Sequence, residues 1–183
     1  MSKKLTTTEM GRMNVDEYRK ADKLPLVVVL DNVRSQHNVG AVFRTADAMR
    51  IEKVMLCGIC CCPPNQEIHK TALGAEESVE WQYYKDTAEA VQTLQAAGYN
   101  VYAVEQAHDS VTLEDFAAQI SNCPKIAIIF GHEVFGVQQE IVDICKGCIE
   151  IPQYGTKHSM NVSVTAGIVM YRLASSLRLA IKK

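Results

Sequence analysis

Apolar positions along this chain alternate between two kinds of pattern. Short, mostly apolar runs at 26–30, 53–57, 99–104, 126–130 and 149–151 predict strands, several apolar throughout as in strands covered on both faces. Between them, apolar residues recur at three- and four-residue spacing, which predicts helices over 39–49, 67–73, 87–97, 113–120 and 137–145. A short helix is predicted over 14–23, capped by Asn14, and a short strand over 81–83. Thr112 is placed to cap one helix, and Gly98 to end another. From Val162 a last helix buries Val162, Ala166, Val169, Leu173 and Leu177. Strands that alternate with helices predict an α/β fold: a mostly parallel sheet with helices on both faces. The expected organisation is an N-terminal helical extension over 1–24 and one domain over 25–183.

Three polar or glycine-bearing stretches interrupt this pattern, each directly after a strand. The first is Asn32-Val-Arg-Ser-Gln-His-Asn38-Val-Gly40-Ala-Val-Phe-Arg44, and the second is Gly131-His-Glu133-Val-Phe-Gly136. In the third, Pro152 stops a strand, and Gly155, Ser159, Met160 and Asn161 lead into the final helix, with Ser159 or Asn161 as its cap. In parallel sheets, ligands sit beyond the carboxyl ends of strands, so three such loops predict one shared site. Asn38 and Gly40, read as a helix start, would turn backbone N–H groups toward an anion. Arg44, a helical turn further on, offers a planar fork for phosphate. A glycine at 131 would let the backbone approach a ligand closely.

In this order the three stretches resemble the motifs of the SPOUT superfamily, in its TrmH (SpoU) branch, over roughly residues 26–173. The resemblance implies an RNA ribose 2′-O-methyltransferase that uses S-adenosylmethionine on tRNA or rRNA. It also implies a C-terminal trefoil knot and a homodimer whose active site lies at the subunit interface. By the same resemblance, Arg44 is the catalytic arginine, with Asn38, Ser159 and Asn161 beside it. The implied cofactor-binding set is Gly131, Glu133, Ile151, Ser159 and Met160, with Glu133 also able to hold a neighbouring loop or touch the partner. By the same resemblance, most relatives carry leucine where this chain has Met160, a swap that keeps volume and apolarity. RNA contacts are expected at Asn32, Arg44, Arg172 and Arg178. Arginine is essentially always protonated, so Arg44 is better suited to holding phosphate and stabilising oxyanion charge than to abstracting a proton.

Net charge of −2 argues against broad nucleic-acid affinity but allows a local basic patch. The last helix offers one: Arg172, Arg178, Lys182 and Lys183 carry no acid among them. Those cations suit either RNA or the helix dipole. Seven cysteines include the pairs Cys57/Cys60 and Cys145/Cys148, and Cys123 stands apart. The pairs fall at strand ends and read as small apolar side chains, so no metal is expected. The first residues have no apolar core of a signal peptide and no run is long enough for a membrane span, so the expectation is cytoplasmic. Two rival readings are a base-nitrogen methyltransferase of the same superfamily and a non-catalytic RNA-binding or assembly factor. A dinucleotide oxidoreductase is disfavoured, because no G-x-G-x-x-G follows the first strand.

Overall fold

The computed structural model describes residues 2–6, 8–120 and 124–181, with side chains to 178; Cys123, Lys182 and Lys183 lie outside them. Seven strands form one sheet in the order β3-β2-β1-β6-β4-β7-β5, and every pairing is parallel. The central strand β1 (Leu24–Asp31) is buried at all positions but Pro25. It pairs in register with β2 (Ile51–Cys57) and with β6 (Ile126–Phe130), for example Val28 with Val54 and with Ile128. From β1 the chain builds outward through β2 to β3 (Glu80–Tyr84). It then crosses to the other side for β4 (Asn100–Val104), β6 and β7 (Cys148–Glu150). The reversal of direction leaves a crevice beyond the carboxyl ends of β1, β6, β4 and β7.

Side chains alternate across the sheet with the two-residue period of a strand. Leu26, Val28 and Leu30 of β1 join the core under α2 (Gln36–Met49), α3 (Gln66–Ala72), α6 (Leu113–Gln119) and α8 (Val162–Ile181). Val27 and Val29 face the opposite core under α5 (Thr87–Ala96) and α7 (Gln139–Ile144). Each fully buried Ile, Leu or Phe in these layers contributes about 1.5–3 kcal/mol relative to an exposed one. The expected α8 stripe is buried, and Met170 and Ala174 widen it. Cys57 and Cys60 are buried as well, and desolvation pushes both thiols up to about 12. Protonated at neutral pH, they behave as small apolar side chains.

Several elements depart from the sequence expectation. Helix α2 begins at Gln36 rather than 39, because Ser35 caps it through the Asn38 N–H at 3.3 Å. Strand β7 ends one residue earlier than expected, which places Ile151 in the loop beyond it. Helix α7 is shorter than expected because the Val137 N–H is held by the Glu105 carboxylate at 3.1 Å. Two elements were not expected: the two-residue β5 (Val111–Thr112) and the one-turn α4 (Ala75–Ser78). Helix α1 (Val15–Lys20) carries a capping box in which Asn14 and Glu17 exchange side chain-to-backbone bonds at 2.9 Å each. No helix among the described residues is long and apolar enough to cross a membrane.

Candidate active site

Three loops at the carboxyl edge of the sheet meet through one carboxylate. Glu133 Oε2 accepts the Arg34 N–H at 3.0 Å; Oε1 accepts the Ser35 N–H and Asn38 Nδ2, each at 2.9 Å. Partial burial would raise this carboxyl, but the Ser35 and Arg34 N–H groups and the Asn38 amide outweigh it and hold its pKa below the ordinary value. Asn38, nine-tenths buried, then passes the connection on: its Oδ1 accepts Asn161 Nδ2 at 3.2 Å. Asn161 Oδ1 caps α8, accepting the Ser163 N–H at 2.9 Å and the Val164 N–H at 3.3 Å. Of the two expected caps, Asn161 is therefore the one used. One polar chain, Glu133–Asn38–Asn161, fixes the first, second and third stretches relative to one another.

The expected anion site at Asn38 and Gly40 is overturned. Both residues lie inside α2, and the free N–H groups ahead of it already face Glu133. Gly40 serves a different need. A Cβ there would lie 2.1 Å from Thr71 Oγ1 and 2.3 Å from the Ile68 carbonyl, so its absence lets α2 and α3 touch.

The loop after β6 is drawn tight by paired hydrogen bonds between His132 and Gly136, of 3.0 and 2.9 Å. A Cβ on Gly131 would sit 2.0 Å from the Gly136 carbonyl carbon, so residue 131 must be glycine for the loop to close. Gly136 adopts φ +67°, and a Cβ there would meet Glu105 Oε2 at 2.2 Å.

Around these loops lies a cleft of about 640 Å³. Gly131, Glu133, Ile151, Ser159, Met160 and Asn161 all line it. Its size suits a nucleoside-sized ligand. Ile149, Ile151, Met160 and Val104 give an apolar wall, and the glycine backbone lets a flat ring come close. Those features fit the adenosyl part of S-adenosylmethionine. Sequence reasoning missed the loop after β4. Glu105 holds the Val137 N–H, and Gln106 Nε2 donates to the His158 carbonyl at 2.8 Å, tethering the third loop from its far side. Both residues line the cleft. No local pattern marks them, because their partners are 32 and 52 residues away.

The remaining site candidates fall outside the cleft lining. Arg44 stands on α2 about 9 Å beyond Asn38 along the axis, at 1.5 Å per residue. It is exposed and has no side-chain hydrogen bond or ion pair among the described residues. Asn32, at φ +55°, donates to Asp31 Oδ1 at 2.9 Å and accepts the Ile59 N–H at 3.2 Å, bracing its own loop. Arg172 pairs with Glu114 of α6 at 2.8 Å, and Arg178 donates to the Met49 carbonyl at 2.9 Å. The acid facing the last helix thus comes from a neighbouring element.

Residues 25–171 match the model of the SpoU rRNA Methylase family. The chain belongs to the SpoU family. One relative, the tRNA (guanosine(18)-2′-O)-methyltransferase of Thermus thermophilus, is 30% identical over 164 residues, covering 90% of this chain and 81% of its own. The A. aeolicus TrmH/SpoU tRNA modifying enzyme shares the fold, with a TM-score of 0.78 at 24% identity over 90% of this chain and 81% of that one. The AdoMet-bound rRNA methyltransferase from Sinorhizobium meliloti has a TM-score of 0.76 at 25% identity, covering 87% of this chain and 60% of that one. The SpoU match spans all three loops of the cleft.

Proposed function

We infer that this SpoU-family chain transfers a methyl group from S-adenosylmethionine to a ribose 2′-hydroxyl in tRNA or rRNA. The observation that carries the reading is the Glu133–Asn38–Asn161 chain, which ties the start of α2 to the two loops, after β6 and β7, that line one cleft of cofactor size. The relatives' ribose methylation and the AdoMet-bound neighbour support the choice of chemistry.

In this reading Gly131, Ile151 and Met160 receive the adenosyl group, and the fixed Glu133 keeps their loops in place. When bound, the cofactor supplies an activated methyl on a sulfonium, so the protein's main task is to position the acceptor. Arg44 has no competing partner among the described residues, which leaves its guanidinium for an RNA phosphate next to the target ribose. Its fixed positive charge stabilises the oxygen while the hydroxyl proton passes to solvent water. In the same reading Ser159 and Asn161, both in the cleft lining, orient that hydroxyl.

A second copy of the chain is part of the proposal. Val164, Ile168 and Tyr171 form an exposed apolar stripe along α8, and Phe135 projects from the cleft rim at 81% exposure. A homodimer would cover such surfaces. The C-terminal knot is proposed with it on the family likeness; α8 returns from β7 to pack on α2 and β1.

The test incubates the full chain with methyl-labelled S-adenosylmethionine and separate tRNA and rRNA fractions, then digests the product to nucleosides. Label in a 2′-O-methylnucleoside is expected. Label on a base nitrogen, or no cofactor binding at all, rejects the reading in favour of a base methyltransferase or a non-catalytic RNA-binding protein.

A further inference from the structure

Three donor side chains far from the cleft meet at the corner between α3 and α4. His69 lies in the last turn of α3, and Glu76 and Glu77 in α4. Leu73 at φ +54° and Gly74 at φ +92° turn the chain sharply between them. His69 Nδ1 stands 2.5 Å from Glu76 Oε1. One donor atom from each of the three residues lies within 4.8 Å of the other two. This is the one such group of His, Cys, Asp or Glu donors among the described residues; the cysteines at 57–62 form none.

The second observation is the state of Glu76. Its side chain is only 9% exposed, and Oε2 is buried without any hydrogen-bond partner. The imidazole satisfies one oxygen and leaves the other without a donor or cation, a costly arrangement for a carboxylate. Neither carboxylate oxygen of Glu77 has a partner among the described residues, and the nearby Arg19 guanidinium bonds the Glu77 backbone carbonyl instead.

We propose that His69, Glu76 and Glu77 bind a divalent transition-metal ion of the zinc class, which clamps α3 to α4. One imidazole nitrogen with two carboxylates suits such an ion, whereas calcium and magnesium favour all-oxygen shells. The exposed His69 and Glu77 leave a remaining position open to water. The corner backs the helix that carries Arg44. Its α3 touches α2 at Gly40, and Ser78 donates to Asp47 of α2 at 2.5 Å. The ion therefore acts on stability, away from the methyl-transfer site.

The test titrates zinc into the untagged, chelator-treated full chain by calorimetry, with thermal melts in parallel and cobalt as a spectroscopic probe. One ion per chain, a raised Tm and a cobalt spectrum without a thiolate charge-transfer band are expected. His69→Ala and Glu77→Gln, both at exposed side chains, should each weaken binding about tenfold or more. Zinc that fails to bind, or that binds both variants as tightly as the parent, overturns the proposal. Binding lost on thiol alkylation but kept in both variants would place the ion at the cysteines and overturn it equally.

Discussion

Asn38 and Glu133 stand 95 residues apart in the chain and 2.9 Å apart in the fold, amide to carboxylate. That contact joins the first turn of α2 to the loop after β6. Because Asn38 also receives the Asn161 amide, the start of α8 is held by the same pair. The cleft is rigid at this corner for an electrostatic reason: a carboxylate accepting three N–H bonds is a strong anchor.

Replacing that anchor should loosen the edge. Glu133→Ala removes three accepted bonds at a half-buried position, and a loss of about 1–3 kcal/mol is expected in urea unfolding. The pH dependence follows from the lowered carboxyl. Glu133 contributes fully above its ordinary value of 4.5, and the contribution fades as pH falls through the lower native value. Stability plotted against pH should therefore be flatter for Glu133→Gln than for the parent between pH 4.5 and the lower native value.

Two glycines separate the site from its support. Gly131→Ala sets a Cβ against backbone at 2.0 Å, so the loop after β6 must open. Calorimetry should find cofactor binding lost in this variant. Gly40→Ala sets a Cβ against Thr71 and the Ile68 carbonyl and should cost stability, about 1–3 kcal/mol, through α2–α3 separation. Its cofactor affinity should fall far less than that of Gly131→Ala.

Gln106 gives a subtler case. Its amide holds the His158 carbonyl at 2.8 Å, so Gln106→Ala frees one side of the third loop. A single hydrogen bond of about 1 kcal/mol predicts roughly a fivefold weaker cofactor affinity, with little change in Tm. Isothermal titration with S-adenosylmethionine measures it.

What the sequence made legible followed from strong local signals. The apolar run of β1 announced a strand covered on both faces, and the stripe from Val162 to Leu177 announced the buried side of α8. The positions of Gly131, Glu133 and Met160 after strands placed them at the sheet's carboxyl edge. The start of α2 was hidden because Gln36, His37 and Asn38 are polar and resemble a loop, while the capping role of Ser35 depends on geometry. Strand β5 has only two residues and exists through its pairing with β7. The tether from Gln106, the ion pair of Arg172 with Glu114 and the meeting of His69 with Glu76 all depend on tertiary proximity. Local periodicity carries no trace of such pairs.

Arg44 gives the sharpest division between holding the cofactor and acting on RNA. It lies outside the cleft lining and has no intramolecular side-chain partner among the described residues, so Arg44→Ala should leave stability within about 0.5 kcal/mol. The decisive measurement compares that variant with the parent in two assays on the same preparation: S-adenosylmethionine affinity and single-turnover methyl transfer to RNA. Affinity close to the parent's with transfer abolished is the predicted result. Near-normal transfer, or an equal loss in both assays, would contradict the assignment of this guanidinium to the RNA side of the reaction.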